Sequence, residues 1–311
     1  MLQEYYIVNN GKQVVRDKEK EAIERIIGFE DMALAKSPDG YYVCDSGGKD
    51  RLVLCNLFIC SGAACDFHHN FTTCDHPLTN KYVRERRDYI KSLGYNYTIH
   101  YPKDKDGKPT SIWKEIPKRG MPTRFSRWCC AIFKEAGGIG RCIATGVRWA
   151  ESLKRANNRG QIEVLPAKLQ NKIIRNNDND ETRQAIEGCL AYQKLVLNPI
   201  IDWSDEEVWE YIHKYNLIYN PLYDMGYTRV GCVGCPMSTR AKGELEANPQ
   251  FYKAYYRAAK NQVIQRLEKN PDYPFKSAQE LMDWWLAGKS MYENIDQISI
   301  DDLTAQSGKG E

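Results

Sequence analysis

Three groups of residues in this 311-residue chain have types and spacings that could do chemistry. The first is Ser46-Gly47-Gly48-Lys49-Asp50, set between the apolar stretches 41–44 and 52–54. A strand that ends in Ser-Gly-Gly and opens a helix aims free backbone N–H groups and the positive end of the helix dipole at one point. Phosphate is the natural occupant of such a point. Gly47 and Gly48 let the backbone turn tightly and approach an anion with no Cβ in the way, Lys49 adds charge, and Asp50 is a candidate Mg²⁺ ligand. This is not the Walker loop, whose first glycine and Gly-Lys pair lie further apart. An ordinary glycine turn is the alternative, and the strand before and helix after favour the phosphate reading.

The second group is four thiols in two short clusters, Cys129-Cys130 and Cys232-x-x-Cys235. Thiolates in such sets suit Zn²⁺ or an iron-sulfur cluster. Vicinal cysteines are less comfortable in tetrahedral zinc ligation but do not rule it out, so the residues alone leave zinc and [4Fe-4S] both open. Cys44, Cys55, Cys60, Cys65, Cys74, Cys142 and Cys189 stand in apolar or strand-like context and read as small buried residues. The third group is Gly146-x-Arg148-x-x-Glu151-Ser152-x-x-Arg155, where Arg148 and Arg155 could grip an anion by bidentate contacts. Surface ion pairing is the alternative for both. His68 and His69 adjoin Asp66, but neighbouring strand positions face opposite ways, which argues against a joint metal site.

Positioning these groups requires a scaffold of alternating strands and helices. Strands are expected at 41–44, 65–71, 95–100, 141–147 and 195–201, and helices at 48–61, 77–93 and 204–212, the last opened by the capping box Ser204–Glu207. That alternation predicts an α/β fold with a doubly wound, mostly parallel five-stranded sheet and helices on both faces, plus C-terminal helices at 249–268 and 277–287. A lead-in helix spans 17–27, residues 155–184 read as an excursion or mobile loop, and the acidic tail beyond 295 reads as poorly ordered. The expected division is a lead-in at 1–38, a catalytic domain at 39–240 and a helical extension at 241–311.

The loop, the paired cysteines and the arginine motif together resemble the PP-loop family of ATP pyrophosphatases and phosphoadenylyl-sulfate reductases, over about residues 30 to 240. "HHNFTTCDHP" (68–77), "NPIIDWSDEEVWEYI" and "NPLYDMGYTRVGCVGCP" extend the match, with Asp202 and Asp224 as candidate polar anchors. The resemblance implies an adenine nucleotide alpha hydrolase-like fold that binds ATP with Mg²⁺. Ser46 to Asp50 would hold the phosphates, and Thr72, Thr73, Asp75, Gly146, Arg148, Glu151 and Ser152 would face the nucleotide. Lys49, Asp50, Arg148 and Arg155 would carry catalysis. Cys129, Cys130, Cys232 and Cys235 would hold a [4Fe-4S] cluster, as in the adenylyl-sulfate-reducing branch and the ATP pyrophosphatase of DNA phosphorothioation, and ligand softness with this resemblance leaves zinc as the lesser alternative.

Two departures bear on activity. Arg51 stands where the family usually has serine, and the sequence has no cysteine after Cys235, where reductases carry a nucleophilic tail thiol. The expected reaction is therefore cleavage of ATP to AMP and pyrophosphate, adenylating an acceptor oxygen for later replacement by sulfur. A sulfonucleotide reductase using a thiol from elsewhere, and a non-catalytic nucleotide sensor, are the alternatives. The implied partners are an adenine nucleotide, a nucleic acid as sulfur acceptor, and a cysteine desulfurase or other sulfur donor. Basic residues in 81–91 and 114–127 fit a nucleic acid, but also an ordinary solvated helix face. A net charge of +3 excludes no class of partner. The sequence shows no signal peptide or membrane-spanning run, so a cytoplasmic protein is expected. Phe251, Tyr255, Val263 and Leu267 recur at helical spacing, a stripe for packing on the domain or on a twin subunit in a homodimer.

Overall fold

The structure, a computed structural model, describes residues 1–7, 13–135, 137–165, 173–175 and 194–288. Cys189 and the acidic tail lie outside them, as does most of the predicted excursion. The chain divides into two compact units, residues 1–111 with 129–232, and residues 112–128 with 233–311.

The first unit opens with a hairpin, β1 (Gln3–Ile7) and β2 (Gln13–Asp17), followed by α1 (Lys18–Gly28) and α2 (Glu30–Lys36). Then come β3 (Tyr41–Cys44), α3 (Lys49–Ser61), β4 (Cys65–Asn70), α4 (Pro77–Ser92) and β5 (Tyr97–His100). In sheet order β5-β4-β3 is continued by β6 (Cys142–Ala144) and β9 (Lys194–Leu197), all five parallel. The order reverses between β3 and β6, and at such a switch point the loops leaving the two strands diverge and open a crevice. The glycine loop leaves β3 and the arginine motif leaves β6, so both face that crevice.

Sequence patterning explains the layering. β3 is buried along its length, as a central parallel strand must be. α3 is apolar nearly all round, burying Leu52, Val53, Leu54, Cys55, Leu57 and Phe58. Each such fully buried side chain contributes about 1.5–3 kcal/mol. The Tyr41 hydroxyl, on the same face of the sheet, donates to the Ile26 carbonyl at 2.7 Å and fastens α1. No helix among the described residues is long and apolar enough to cross a membrane.

The fold class is as expected, with differences of detail. Among the described residues the sheet has seven strands, because β7 (Ile162–Leu165) pairs antiparallel with β9, and β8 (Ile173–Arg175) with β7. Both fall in the stretch expected to be an excursion; its polar composition masked short strands that extend the sheet at its edge. The lead-in holds a hairpin as well as its helix, and it is docked rather than loose. Arg25 reaches both oxygens of Asp202 (2.9 and 3.2 Å), and Arg16 contacts the same carboxylate at 2.6 Å. Asp202 thus anchors the N-terminal segment.

In the second unit, α5 (Ile112–Arg119) packs on α10 (Pro249–Lys269). The Trp113 and Tyr255 rings meet edge-on at 4.6 Å, and Trp285 of α11 (Ala278–Leu286) lies 4.7 Å from Tyr255. Tyr255 and Val263 of the predicted stripe are buried inside their own unit.

Candidate nucleotide site

The glycine loop is braced by residues from four directions. Asp45, fully buried, accepts the Gly47 amide on Oδ1 at 2.9 Å and the Tyr97 hydroxyl on Oδ2 at 2.9 Å. Burial alone would raise its carboxyl, but the Arg86 charge and the Gly47 amide hold it below the usual carboxylate range. The Asn220 amide donates to the Gly47 carbonyl at 3.1 Å, and the Tyr223 hydroxyl accepts the Lys49 amide at 3.0 Å. Gly47 has φ +75°, and a Cβ there would meet Thr79 and Val83 methyls at 3.0 Å. Only glycine fits this turn without strain. Among the described residues the amides of Ser46 and Gly48 have no acceptor, which leaves them available to an anion at the N-terminus of α3.

Four charged side chains interlock beside the loop. Lys49 donates to Asp205 at 2.6 Å and lies 3.3 Å from Asp50. Arg148 donates from Nε to Asp50 at 2.7 Å and from Nη2 to the same Asp205 oxygen at 2.7 Å, while Nη1 reaches the Trp203 carbonyl. Lys49 and Arg148 are buried, whereas Asp205 is 57 % exposed. Burial opposes charge on Asp205, but Lys49 and Arg148 outweigh it and depress its carboxyl; Asp50 and Asp205 likewise raise Arg148 against burial. Two cations and two carboxylates make this tetrad neutral overall.

The 146–155 segment organises itself. Glu151 accepts the Arg148 amide at 3.0 Å and pairs with the Arg155 guanidinium, and the Ser152 hydroxyl caps α7 (Leu153–Asn158) through the Arg155 amide. Gly146 packs against the backbone of Asp50, where a Cβ would fall 2.9 Å from the carbonyl oxygen. The loop after β3 and the turn after β6 are therefore in direct contact.

Thr72, Thr73 and Asp75 take a different arrangement. Asp75 is buried and accepts the Thr72 amide at 3.0 Å, and its backbone bridges to Cys232. Thr73 has φ +68°, a strained conformation for a β-branched residue. The Thr72 hydroxyl lies 3.5 Å from the Cys74 thiol and accepts from the Cys232 thiol at 3.4 Å. Both thiols are free, and the influence of each on the other holds Cys232 below the ordinary thiol range while raising Cys74. Cys74 is buried, as expected, and shares the Thr72 hydroxyl with Cys232. His69 faces the Asp45 carbonyl at 2.9 Å, and His68 stacks on Tyr42 while bridging Asp66 and His100, so the two histidines do diverge.

The donor sets can be tested for metals. Magnesium that arrives with phosphates needs one or two carboxylates, and Asp50 and Asp205 can supply them. The cysteines are different: Cys129, Cys130 and Cys232 belong to the first unit and Cys235 to the second, and among the described residues no three His, Cys, Asp or Glu side chains gather as a metal ion requires. No step below runs through a cysteine-bound centre.

Asp45, Asp205, Asn220 and Tyr223 complete the site and were not singled out for it by sequence reasoning. Asp205 was absorbed by its capping box, and Asn220 and Tyr223 lie far along the chain in the "NPLYD" segment. Asp45, the first residue after a buried strand and before the glycines, carried the one local signal.

A parallel α/β sheet with a glycine loop at its switch point defines a nucleotide-binding protein of the doubly wound class. The phosphoadenosine phosphosulfate reductase domain matches residues 41–238, more than half the chain, and the chain belongs to that family. Among curated proteins it is 46 % identical over 140 residues to an adenosine 5'-phosphosulfate reductase of Bacillus cytotoxicus, covering 45 % of this chain and 47 % of the relative. It is 26 % identical over 197 residues to an uncharacterised protein of Methanocaldococcus jannaschii, covering 63 % and 41 %. The match thus spans less than half the length of these relatives. Similar solved structures include the phosphoadenylyl-sulfate reductase of Candida auris (TM-score 0.43, 19 % identity, 68 % of this chain and 88 % of that one). Another is the U34-tRNA thiolase NcsA of Methanococcus maripaludis with its [4Fe-4S] cluster (TM-score 0.40, 13 % identity, 96 % and 90 %).

Proposed function

We propose that this protein binds ATP at the glycine loop and adenylates an acceptor, releasing pyrophosphate. One observation carries the reading: a strand-to-helix turn with unpaired amides, held open by Asp45, Asn220 and Tyr223, with Lys49 and Arg148 fixed over it by Asp50 and Asp205. An acceptor oxygen attacks the α-phosphorus, the bond from that phosphorus to the oxygen bridging the β-phosphate breaks, and the acceptor's proton is lost to solvent. The loop amides, Lys49 and Arg148 stabilise charge developing on the phosphates, and positioning does the rest. Magnesium, when bound with the nucleotide, neutralises phosphate charge; Asp50 and Asp205 are its candidate ligands. The reading also assigns Arg155 and Ser152 to this site, and nucleic acid and a sulfur donor are the partner classes it implies.

Pyrophosphate release from ATP and Mg²⁺, compared among wild type, Lys49→Ala and Asp50→Ala with DNA, RNA and small-molecule acceptors, tests this. Loss of release in both variants is expected; bound ATP without turnover on any acceptor overturns the reading. The reductase reading is favoured by the Cys74 and Cys232 thiols that flank the Thr72 hydroxyl, and it predicts thiol-dependent sulfite release from adenylyl sulfate. Iron and sulfide quantification after anaerobic purification tests whether the cysteines carry a cluster.

A further inference from the structure

The net charge of +3 over the whole chain conceals an uneven distribution. Residues 112–128 and 233–288 of the second unit hold thirteen Lys and Arg against seven Asp and Glu. The excess is concentrated on α10, which carries five basic side chains and a single acid, Glu268. Tyr255, Ala258, Ala259, Gln262 and Val263 are buried in their own unit, so the opposite face of the helix looks outward. Lys253, Arg257 and Lys260 recur on that face at i, i+4 and i+7, and all three are exposed. At the helical rise the row is about 10 Å long, which matches three nucleotide steps of a stacked strand at about 3.4 Å each.

An ordinary solvated helix face mixes its charges. Elsewhere the chain does so: Lys20 pairs with Glu24 on α1, Lys81 with Glu85 on α4, and Lys118 and Arg119 with Glu115 on α5. On α10 no carboxylate stands three or four positions from any of the three cations. Among the described residues none of the three has an ion-pair partner. Lys253 and Arg257, and Arg257 and Lys260, are instead like-charge neighbours, an arrangement that destabilises a helix. A polyanion laid along the row turns that repulsion into attraction.

Tyr252 and Tyr256 border the row on one side, half-buried, with ring centroids 6.3 Å apart and ring planes 26° from parallel. Flat rings beside a line of cations are the two parts of a platform for unpaired bases, which stack on aromatic side chains while the backbone follows the charge. A lipid surface fits less well, because the apolar face of α10 is already buried and leaves nothing to enter the acyl region.

We propose that the outward face of α10 binds single-stranded nucleic acid, with Lys253, Arg257 and Lys260 on successive phosphates and Tyr252 and Tyr256 stacking on bases. The inference rests on the reading above for its partner class and names the surface that partner meets.

Equilibrium binding of single-stranded RNA and DNA of about 16 nucleotides, the matching DNA duplex and phosphatidylserine vesicles to the full chain tests it, without ATP and over a salt series. Single strands are expected to bind more tightly than duplex or vesicles. Lys253→Gln, Arg257→Gln and Lys260→Gln together should reduce the salt slope by about 2, roughly 0.7 for each cation withdrawn. Tyr256→Leu leaves every charge in place and should weaken single strands about tenfold while leaving duplex binding unchanged. Urea unfolding of the triple variant should show no loss of stability, since like-charge pairs have been removed. An unchanged salt slope, a Tyr256→Leu loss shared equally by duplex, tighter binding of duplex or vesicles, or a wild-type protein that binds no single strand each overturns the surface. Pyrophosphate release from ATP with small-molecule acceptors is measured on the same preparations. Release without strand binding removes the surface and leaves the adenylation reading, whereas strand binding that depends on the row, without release on any acceptor, upholds the surface and removes that reading.

Discussion

Replacing Asp45 by asparagine keeps the shape of the side chain and an oxygen for the Gly47 amide but removes a fully buried charge. Its counter-ion Arg86 is itself only 6 % exposed and approaches Asp45 at 3.0 Å through Nε, off the line of a hydrogen bond, so the pair holds chiefly by charge. Breaking a buried ion pair from one side costs about 3–5 kcal/mol because the other charge is stranded. Arg86 retains the Tyr82 hydroxyl at 3.0 Å and the Arg51 and Leu52 carbonyls at 3.3 Å as acceptors. That solvation puts the expected loss near the lower bound, about 3 kcal/mol, a large share of the roughly 5–15 kcal/mol that holds a domain folded. Urea unfolding measures it, and Arg86→Met in the same background should return part of the loss, since the stranded charge is then gone. A cost below about 1 kcal/mol, or additivity in the double-mutant cycle, would refute the claim that this pair carries the loop. The carboxyl's lowered folded value gives the same stability a pH signature. The contribution is complete above the ordinary aspartate range and is lost as pH falls through the lower folded value.

Gly47→Ala, forced into φ +75° against Thr79 and Val83, is expected to cost about 2–4 kcal/mol and to abolish nucleotide binding. Gly62→Ala, with φ +68° but open space around it, should cost only about 1–2 kcal/mol; equal losses in the two unfolding curves would rule out the packing argument. Asp205→Asn should change stability by less than about 1 kcal/mol because the carboxylate is half in water. It should tighten magnesium-free pyrophosphate binding several-fold by releasing Lys49 and Arg148, and slow pyrophosphate release from ATP. Asp202→Ala takes a carboxylate from both Arg16 and Arg25 while Arg25 keeps Glu21 and the Pro199 carbonyl, so it should cost about 2–3 kcal/mol and expose the hairpin to proteolysis before the sheet unfolds. His100 is held low first by burial and then by the His68 charge, with His69 adding to this and Asp66 opposing it. Its NMR titration should therefore fall below the ordinary histidine value, and stability should drop as pH falls between that value and the folded one.

Periodicity made the scaffold legible. The buried run at β3, the all-round apolar α3 and the Ser204–Glu207 capping box each lie within one short window, and each formed where the pattern placed it. β7 (Ile-Glu-Val-Leu) and β8 (Ile-Ile-Arg) escaped because each is a run of only three or four residues set in a long polar stretch. The β1–β2 hairpin escaped because the lead-in shows no period strong enough to separate strand from coil. The loop and the arginine motif were legible as types, but the partner of each charge was not.

The sequence by itself determined the alternation of strands and helices, the glycine turn between β3 and α3, and the family, because backbone geometry and local apolar spacing act over neighbouring residues. Tertiary structure decided which charges meet. Asp205 joins Lys49 to Arg148, Asn220 and Tyr223 hold a loop more than a hundred residues away in the chain, and Cys232 meets the Thr72 hydroxyl. It also packed Arg51 beneath Gly146. Coulomb attraction and hydrogen bonding act through space, and only the crossovers of the sheet bring such residues within reach of one another.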